Sequence, residues 1–338
     1  MFVKNAWYAL AWADEAGQHL LSRTVMNEPI LVYRTPDGEA VALEDRCCHR
    51  RVPLSLGRLK EGLVECGYHG FTFDCSGKCV RIPNQSHIPP AARVRKYPLS
   101  EQYHMLWIWM GDPNSADPAL VPDFSILDIP AHAWKGTRMH VKANYRLITD
   151  NLSDLSHLTF VHDTTIGNAA TAQADIKLDS TDNHVTQTRW MINTPPPPTY
   201  VRFAGFDGNI DRWQIVTFRA PSIVTLHTGG KLTGHGAPEG DREGGIGMYN
   251  VNAITPETES TSHYFWAQTH DFNIDDPQVT QALFEEIRTA FNQDVVVFEA
   301  QQLCIQSAPD AREVSCAADR AQLLTRKIVD RLLGDQPL

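Results

Sequence analysis

The chain has 338 residues, 42% of them hydrophobic and 21% charged, with a formal net charge of -10. This is the composition of an ordinary folded protein, which excludes disorder, and the length exceeds the usual single core, so two domains are expected. The acidic balance excludes a nucleic-acid partner, which needs a concentrated basic surface; only the stretch around Arg50, Arg51, Arg58 and Lys60 departs from it.

The N-terminus, MFVKNAWYALAWADEAG, holds a short apolar patch with Asp14 and Glu15 directly after it and no small-residue cleavage site. It reads as a first strand, not a signal peptide. No apolar run reaches the length of a bilayer span, so the expectation is a cytoplasmic protein with no membrane partner. The first hundred or so residues read as β structure. Pro29 to Tyr33 is an apolar run, Thr35-Pro36-Asp37-Gly38 is a turn, and Ala40 to Leu43 returns. A second hairpin is expected from Phe71 to Ile82, about Asp74-Cys75-Ser76-Gly77, and His104 to Met110 reads as a buried strand. Gly111, Pro113, Pro118 and Pro122 make residues 111–124 a linker. The domains are therefore drawn as residues 1–115 and 116–338.

The second part mixes helix and strand, giving an α+β chain. Residues 144 to 162 read as helical, and 184 to 230 and 245 to 270 as strands interrupted by a rigid loop at Pro195 to Pro198. Asp276 and Pro277 make an N-cap and first-turn pair for a helix running past 300, and a last helix from about 317 to 333 stops at Gly334.

Two constellations carry chemistry. Cys47, His49, Cys66 and His69 read C-x-H, sixteen residues, C-x-x-H. Zinc fingers usually put both cysteines in one arm and both histidines in the other. The interleaved order lets two loops each offer one Cys to one iron and one His to the other, the ligand set of a Rieske [2Fe–2S] cluster. The alternatives are a structural zinc site or histidines that cap loops. Gly67 and Gly70 would let backbone amides approach the sulfurs. Cys48 should point away, and Cys75 and Cys79 read as packed thiols. Seven cysteines, an odd number with two paired to histidines, fit metal ligation in a reducing compartment.

The second constellation is His157, His162 and Asp294, with Asp154 and Asn151 nearby. His157 and His162 are five apart, roughly 140° on a regular helix, so they converge only if the helix ends or carries a π-turn between them. Asp154 shares a face with His157. An oxygen-activating non-haem iron needs two histidines and one carboxylate on one side. Leu283, Ile287, Ala290, Phe291, Val297 and Phe298 mark an apolar stripe on the helix after Pro277, and Asp294 lies on it, whereas Glu285, Glu286 and Glu299 do not. An inward carboxylate is costly unless charge-compensated, and a metal would compensate it; a neighbouring donor is the alternative. The other ten histidines show no ligand-like spacing.

The two motifs, in this order and about eighty-five residues apart, resemble the Rieske non-haem iron oxygenases over essentially the whole chain. The likeness is strongest to the branch of vanillate O-demethylase, dicamba monooxygenase and, most of all, toluenesulfonate methyl-monooxygenase, the last through RCCHR, DNLSDLSHLTFVH, DRWQI and TPETESTSHYFW. Cys48 departs from the wider family, where proline is commoner. The resemblance implies an all-β Rieske domain, a helix-grip-like catalytic domain with an antiparallel sheet, and a head-to-tail homotrimer. It implies that His157, His162 and Asp294 hold mononuclear Fe(II), that Asp154 links His69 of one subunit to His157 of the next, and that Asn151 lines the site. The expected function is a terminal monooxygenase component, using O2 and electrons from an NAD(P)H-dependent reductase or ferredoxin. It would hydroxylate a methyl group, or O-demethylate a methoxy group, of a small aromatic acid. Ring hydroxylation, or oxidation of a non-aromatic molecule by the same machinery, is the alternative. A pure electron carrier would not need the second constellation, and a zinc-stabilised binding protein would be colourless.

Overall fold

The computed structural model describes residues 1–162 and 174–334. The chain forms two compact units. One is Phe2–Asp123 together with Thr255–Thr258; the other is Phe124–Ile254 and the residues from Glu259 onward.

The N-terminal unit is built from short strands, as its turn-rich sequence predicts. Ala6–Trp12, Met105–Met110 and Leu99–Gln102 form one sheet. Leu21–Val25, Glu28–Arg34, Ala40–Glu44 and Lys96–Tyr97 form a second, and Arg58–Lys60, Leu63–Glu65, Thr72–Phe73 and Cys79–Arg81 a third. The expected first hairpin is present, with Leu31 opposite Leu43 and Tyr33 opposite Val41. These four side chains are fully buried and share a core with Val64, Phe73, Cys47 and Cys66. Burying each large apolar side chain contributes about 1.5–3 kcal/mol, so the two cysteines are anchored in a packed core. Residues 255–258 complete it: Met26 N donates to Pro256 O (2.9 Å), Asn27 N to Glu257 O (2.8 Å) and Thr255 Oγ1 to Ala9 O (2.6 Å).

The second unit is a seven-stranded antiparallel sheet with helices. Its strand order is Ala133–Val141, Thr261–His270, Ile246–Thr258, Ile223–Leu232, Ile210–Arg219, His184–Thr194, Ile176–Ser180. The long helix Pro277–Ser307 starts at the expected cap, where the Asp276 side chain accepts from Gln278 N. Its buried stripe includes Leu283, Phe284, Ala290, Phe291, Asp294 and Phe298, with Phe284 and Phe291 packed 5.0 and 5.1 Å from Trp266. Val297 is 42% exposed instead, because it sits roughly 100° round from Phe298.

Two sequence expectations change. Pro198 does not belong to a loop: it opens the helix Pro198–Ala204, where a proline's missing N–H leaves no bond unmade. The predicted helix over 144–162 is broken. A first segment, Tyr145–Ser153, stops at Asp154, whose backbone is extended (φ -129°, ψ 104°). A 3₁₀ turn, Leu155–His157, and one short turn, Leu158–Val161, follow. The last helix is a 3₁₀ turn at Ala317–Asp319 running into Arg320–Gly334.

Candidate metal centres

The two cysteine–histidine loops of the N-terminal unit have the same hydrogen-bond frame. In the first, Cys47 N donates to Val52 O (2.9 Å) and Arg51 N to Cys47 O (2.9 Å). In the second, Cys66 N donates to Phe71 O (2.8 Å) and Gly70 N to Cys66 O (3.0 Å). Each loop closes through a left-handed residue four after its cysteine, Arg51 (φ 62°) and Gly70 (φ 73°). Glycine suits that conformation without strain. Gly67 is needed for space: a Cβ there would stand 2.6 Å from Leu56 O.

This frame sorts the four side chains by chemistry. Cys47 and Cys66 are buried and unbridged. His49 is half-buried and His69 exposed, their ring centroids 4.7 Å apart, with His49 stacked on Phe71. Thiols pair inward and imidazoles outward, as two irons with unlike ligands require. Burial, with the Cys66 thiol adding to it, pushes the Cys47 thiol up to about 12; metal ligation would deprotonate it outright. His49 Nδ1 is buried with no hydrogen-bond partner among the described residues. An orphaned imidazole nitrogen, a second imidazole 4.7 Å away and two buried thiols on the same pair of loops fit a [2Fe–2S] cluster. Cys48 is exposed and Cys79 buried, as expected.

In the second unit the helix break does what the histidine spacing demanded. His162 lies at the end of the short turn, outside helical geometry (φ -116°, ψ 30°), and its ring centroid comes within 5.3 Å of that of His157. Both face Asp294 from the long helix: His162 Nε2 is 3.1 Å and His157 Nε2 3.6 Å from Asp294 Oδ1. One ligand atom from each of the three lies within 4.8 Å of the others. The opposite ring nitrogens are held by acceptors, His157 Nδ1 by Asp154 O (2.6 Å) and His162 Nδ1 by Gln293 Oε1 (2.8 Å). These bonds fix each ring with Nε2 aimed at the centre, the usual support of a metal-binding imidazole. Burial draws the pKa of His157 down. At His162 burial has the same sense, but the bonds to Asp294 and Gln293 outweigh it and the net shift is upward. A buried carboxylate facing two imidazole nitrogens on one side fits a divalent iron.

Asn151 stands beside this cluster, donating from Nδ2 to Asp294 Oδ1 (3.3 Å), with its Oδ1 unpaired among the described residues. The side chain of Asp154 is not the acceptor for the His157 ring. Its carboxylate accepts from Ser156 N and Oγ (both 2.9 Å), capping the 3₁₀ turn, and its backbone carbonyl takes the His157 Nδ1 contact. The extended backbone at Asp154 forces this exchange. The guanidinium of buried Arg189 also acts on that carboxylate.

His157, His162 and Asp294 open onto a cavity of about 120 Å³ lined by Leu155, Leu158, Tyr200, Leu283 and Phe291 among others. Cavities of roughly 150 Å³ accept a benzene ring. Sequence reasoning missed Gln293, Arg212 and Asn250, the last two in the cavity wall.

Two families match this chain: the Rieske [2Fe–2S] domain over residues 6–98 and the vanillate O-demethylase oxygenase C-terminal domain over residues 141–335. A toluene-4-sulfonate monooxygenase system iron-sulfur subunit of Comamonas testosteroni is 41% identical, covering 98% of this chain and 97% of that protein. A vanillate O-demethylase oxygenase subunit of a Pseudomonas species is 34% identical, covering 99% and 96%. The crystal structure of dicamba monooxygenase bound to dicamba superposes with a TM-score of 0.89 at 31% identity, covering 98% of this chain and 97% of that one.

Proposed function

The chain belongs to the Rieske non-haem iron oxygenases with a vanillate O-demethylase-type catalytic domain, and on that premise we propose that it hydroxylates a methyl group, or O-demethylates a methoxy group, of a small aromatic acid. It is the oxygenase component of such a system. In our assignment residues 1–115 carry the cluster and 116–338 the catalytic iron. Cys47, His49, Cys66 and His69 hold the [2Fe–2S] group, and His157, His162 and Asp294 the mononuclear iron. When bound, these groups supply electron relay and O2 activation, for the balance R–CH3 + O2 + 2e⁻ + 2H⁺ → R–CH2OH + H2O. A methoxy substrate would give a hemiacetal that collapses to formaldehyde and a phenol.

The chain's own residues do the rest. The backbone carbonyl of Asp154 and the Gln293 amide keep both imidazoles aimed at one point. Leu155, Leu158, Leu283 and Phe291 present an apolar wall that excludes bulk water and holds a ring by burial. Asn151 holds the Asp294 carboxylate from the side. Electrons come from an NAD(P)H-dependent reductase or ferredoxin, and the Asp154 carboxylate bridges to His69 of a neighbouring subunit in a head-to-tail homotrimer. The exposed His69 ring is consistent with such a bridge.

The observation that carries the reading is a one-sided His–His–Asp cluster opening on a cavity of about 120 Å³ with a largely apolar wall. It is tested by screening methyl- and methoxy-bearing aromatic acids for substrate-dependent NADH consumption with a reconstituted reductase, with product mass. The expected product is a methyl hydroxylation, or loss of a methyl with formaldehyde; a ring-hydroxylated product would redirect the assignment.

A further inference from the structure

The inner face of the strand Ile210–Arg219 contributes Arg212 and Gln214 to the cavity wall. Arg212 is 8% exposed. Its Nε and Nη1 have no hydrogen-bond partner among the described residues. The acid beside it in sequence, Asp211, points the other way and is bound to Asn193 N and Thr233 Oγ1. Two carboxylates line the same cavity, and neither makes an ion pair with Arg212: Asp294 faces the two histidines, and Glu286 accepts from Thr199 Oγ1.

What Arg212 does have is a platform. The Tyr200 ring lies under its guanidinium, 5.3 Å from the ring centroid. Gly230 is directly across the sheet from Arg212, and a Cβ there would stand 2.8 Å from Ile210 Cδ1 and 3.2 Å from the Tyr200 ring. The glycine therefore leaves room both for Ile210 and for the ring that supports the guanidinium. A cation–π contact offsets only part of the cost of burying a charge. Arginine is always charged, and its fork matches the oxygens of carboxylates and sulfonates.

Resting on the oxygenase reading above, we infer that Arg212 receives the acid group of the substrate and so selects aromatic anions over their neutral analogues. The Tyr200 face and the apolar wall then hold the ring. With one end fixed by the charge, another substituent is free to reach His157, His162 and Asp294 in the same cavity. Arg212 touches the substrate but not the reacting carbon, so its loss acts on binding and orientation.

The test is equilibrium binding to the oxidised holoenzyme without reductase, so that no turnover occurs. The probes are para-toluenesulfonate, para-toluate and the neutral para-toluamide, followed by calorimetry. Wild type should bind at least one of the two anions at least about thirtyfold more tightly than the amide, about 2 kcal/mol. Preference between the two anions identifies the acid. Arg212→Gln should erase that difference and leave amide affinity within about threefold, while Arg212→Lys should restore part of it. Iron content and cluster absorbance report whether each variant is folded. If Arg212→Gln does not fold, Arg212→Lys carries the test: its anion preference should fall below that of wild type, and an unchanged preference overturns the inference. Anion binding unchanged in Arg212→Gln, equal loss of anion and amide, or no anion preference in wild type would each overturn the inference. NADH consumption with neutral aromatics alone would remove the role of Arg212 and leave the oxygenase reading standing. No consumption with any aromatic would remove that reading itself.

Discussion

Asp294 Oδ1 is the point on which His157 Nε2 and His162 Nε2 both bear. Asp294→Ala should therefore empty the mononuclear site and spare the Rieske absorbance. Iron per chain should fall from about three to about two, the cluster keeping its pair. Retention of the third iron in elemental analysis would point to another carboxylate. Asp294 was legible because an acid stood on an apolar helical stripe. Arg212 and Gln214 were not, because alternation in a strand reads polar residues as outward, and here they face a cavity. His227 likewise looked like an ordinary strand histidine. Its ring stacks on Tyr249 at 4.0 Å and its Nε2 accepts from Trp213 Nε1 at 3.1 Å. Burial, with Arg242 beside it, pulls its pKa down to about 4. The unfolded value is about 6.5. The unfolded chain therefore binds the extra proton, and the contribution is complete above about pH 6.5 and lost as pH falls towards 4. The full difference is at most about 3 kcal/mol. His227→Gln keeps an acceptor for Trp213 and should show a correspondingly flatter loss of stability on acidification, read by urea unfolding across that range. Parallel profiles for variant and wild type would show that His227 does not titrate this way.

At the scale of elements, the break between Ser153 and Leu155 matters more than either helical piece. It turns Asp154 into a cap whose carboxylate faces Ser156 and whose carbonyl steadies His157. Asp154→Asn keeps one acceptor for the cap and the whole carbonyl, so iron content should stay near normal. What it removes is negative charge, and if that charge bridges to His69 of a neighbouring subunit, turnover should drop by about 10- to 100-fold or more. Single-turnover kinetics with the cluster pre-reduced decides: fast reoxidation by O2 and substrate in the Asn variant means no bridge through this side chain. The sequence required a break somewhere between His157 and His162, since five residues of regular helix splay them. Where the chain would bend, and that a second break would fall at Asp154, depended on tertiary contacts such as the bond from Gln187 to Ser153 O, which no local pattern records. The long helix was the easier element, with Asp276, Pro277 and a repeating apolar stripe agreeing over its length.

For the whole molecule, the two halves of the chemistry are set in separate compact units, each with its own core. The all-β reading of the first hundred residues and the antiparallel sheet of the second part were visible in the sequence, because turn residues and two-residue alternation are local signals. Residues 255–258 were not, since they fall inside a stretch, 245 to 270, that reads as strands of the second part, and nothing in it marks four residues that belong with Ala9, Met26 and Asn27. That small excursion makes the electron-carrying half a borrowed rather than a self-sufficient module. Any chimaera that grafts it onto a different catalytic half by a single cut near Asp123 would strip its backbone of three bonds, each worth about 1 kcal/mol net. A fragment ending at Asp123 should thus bleach its cluster on heating roughly 10 °C or more below the intact chain, and a fragment that melts with the intact chain would show that the four residues are dispensable. Exchange of the N-terminal unit among such oxygenases would then have to carry residues 255–258 along with it, so that two distant stretches of gene are inherited as one part.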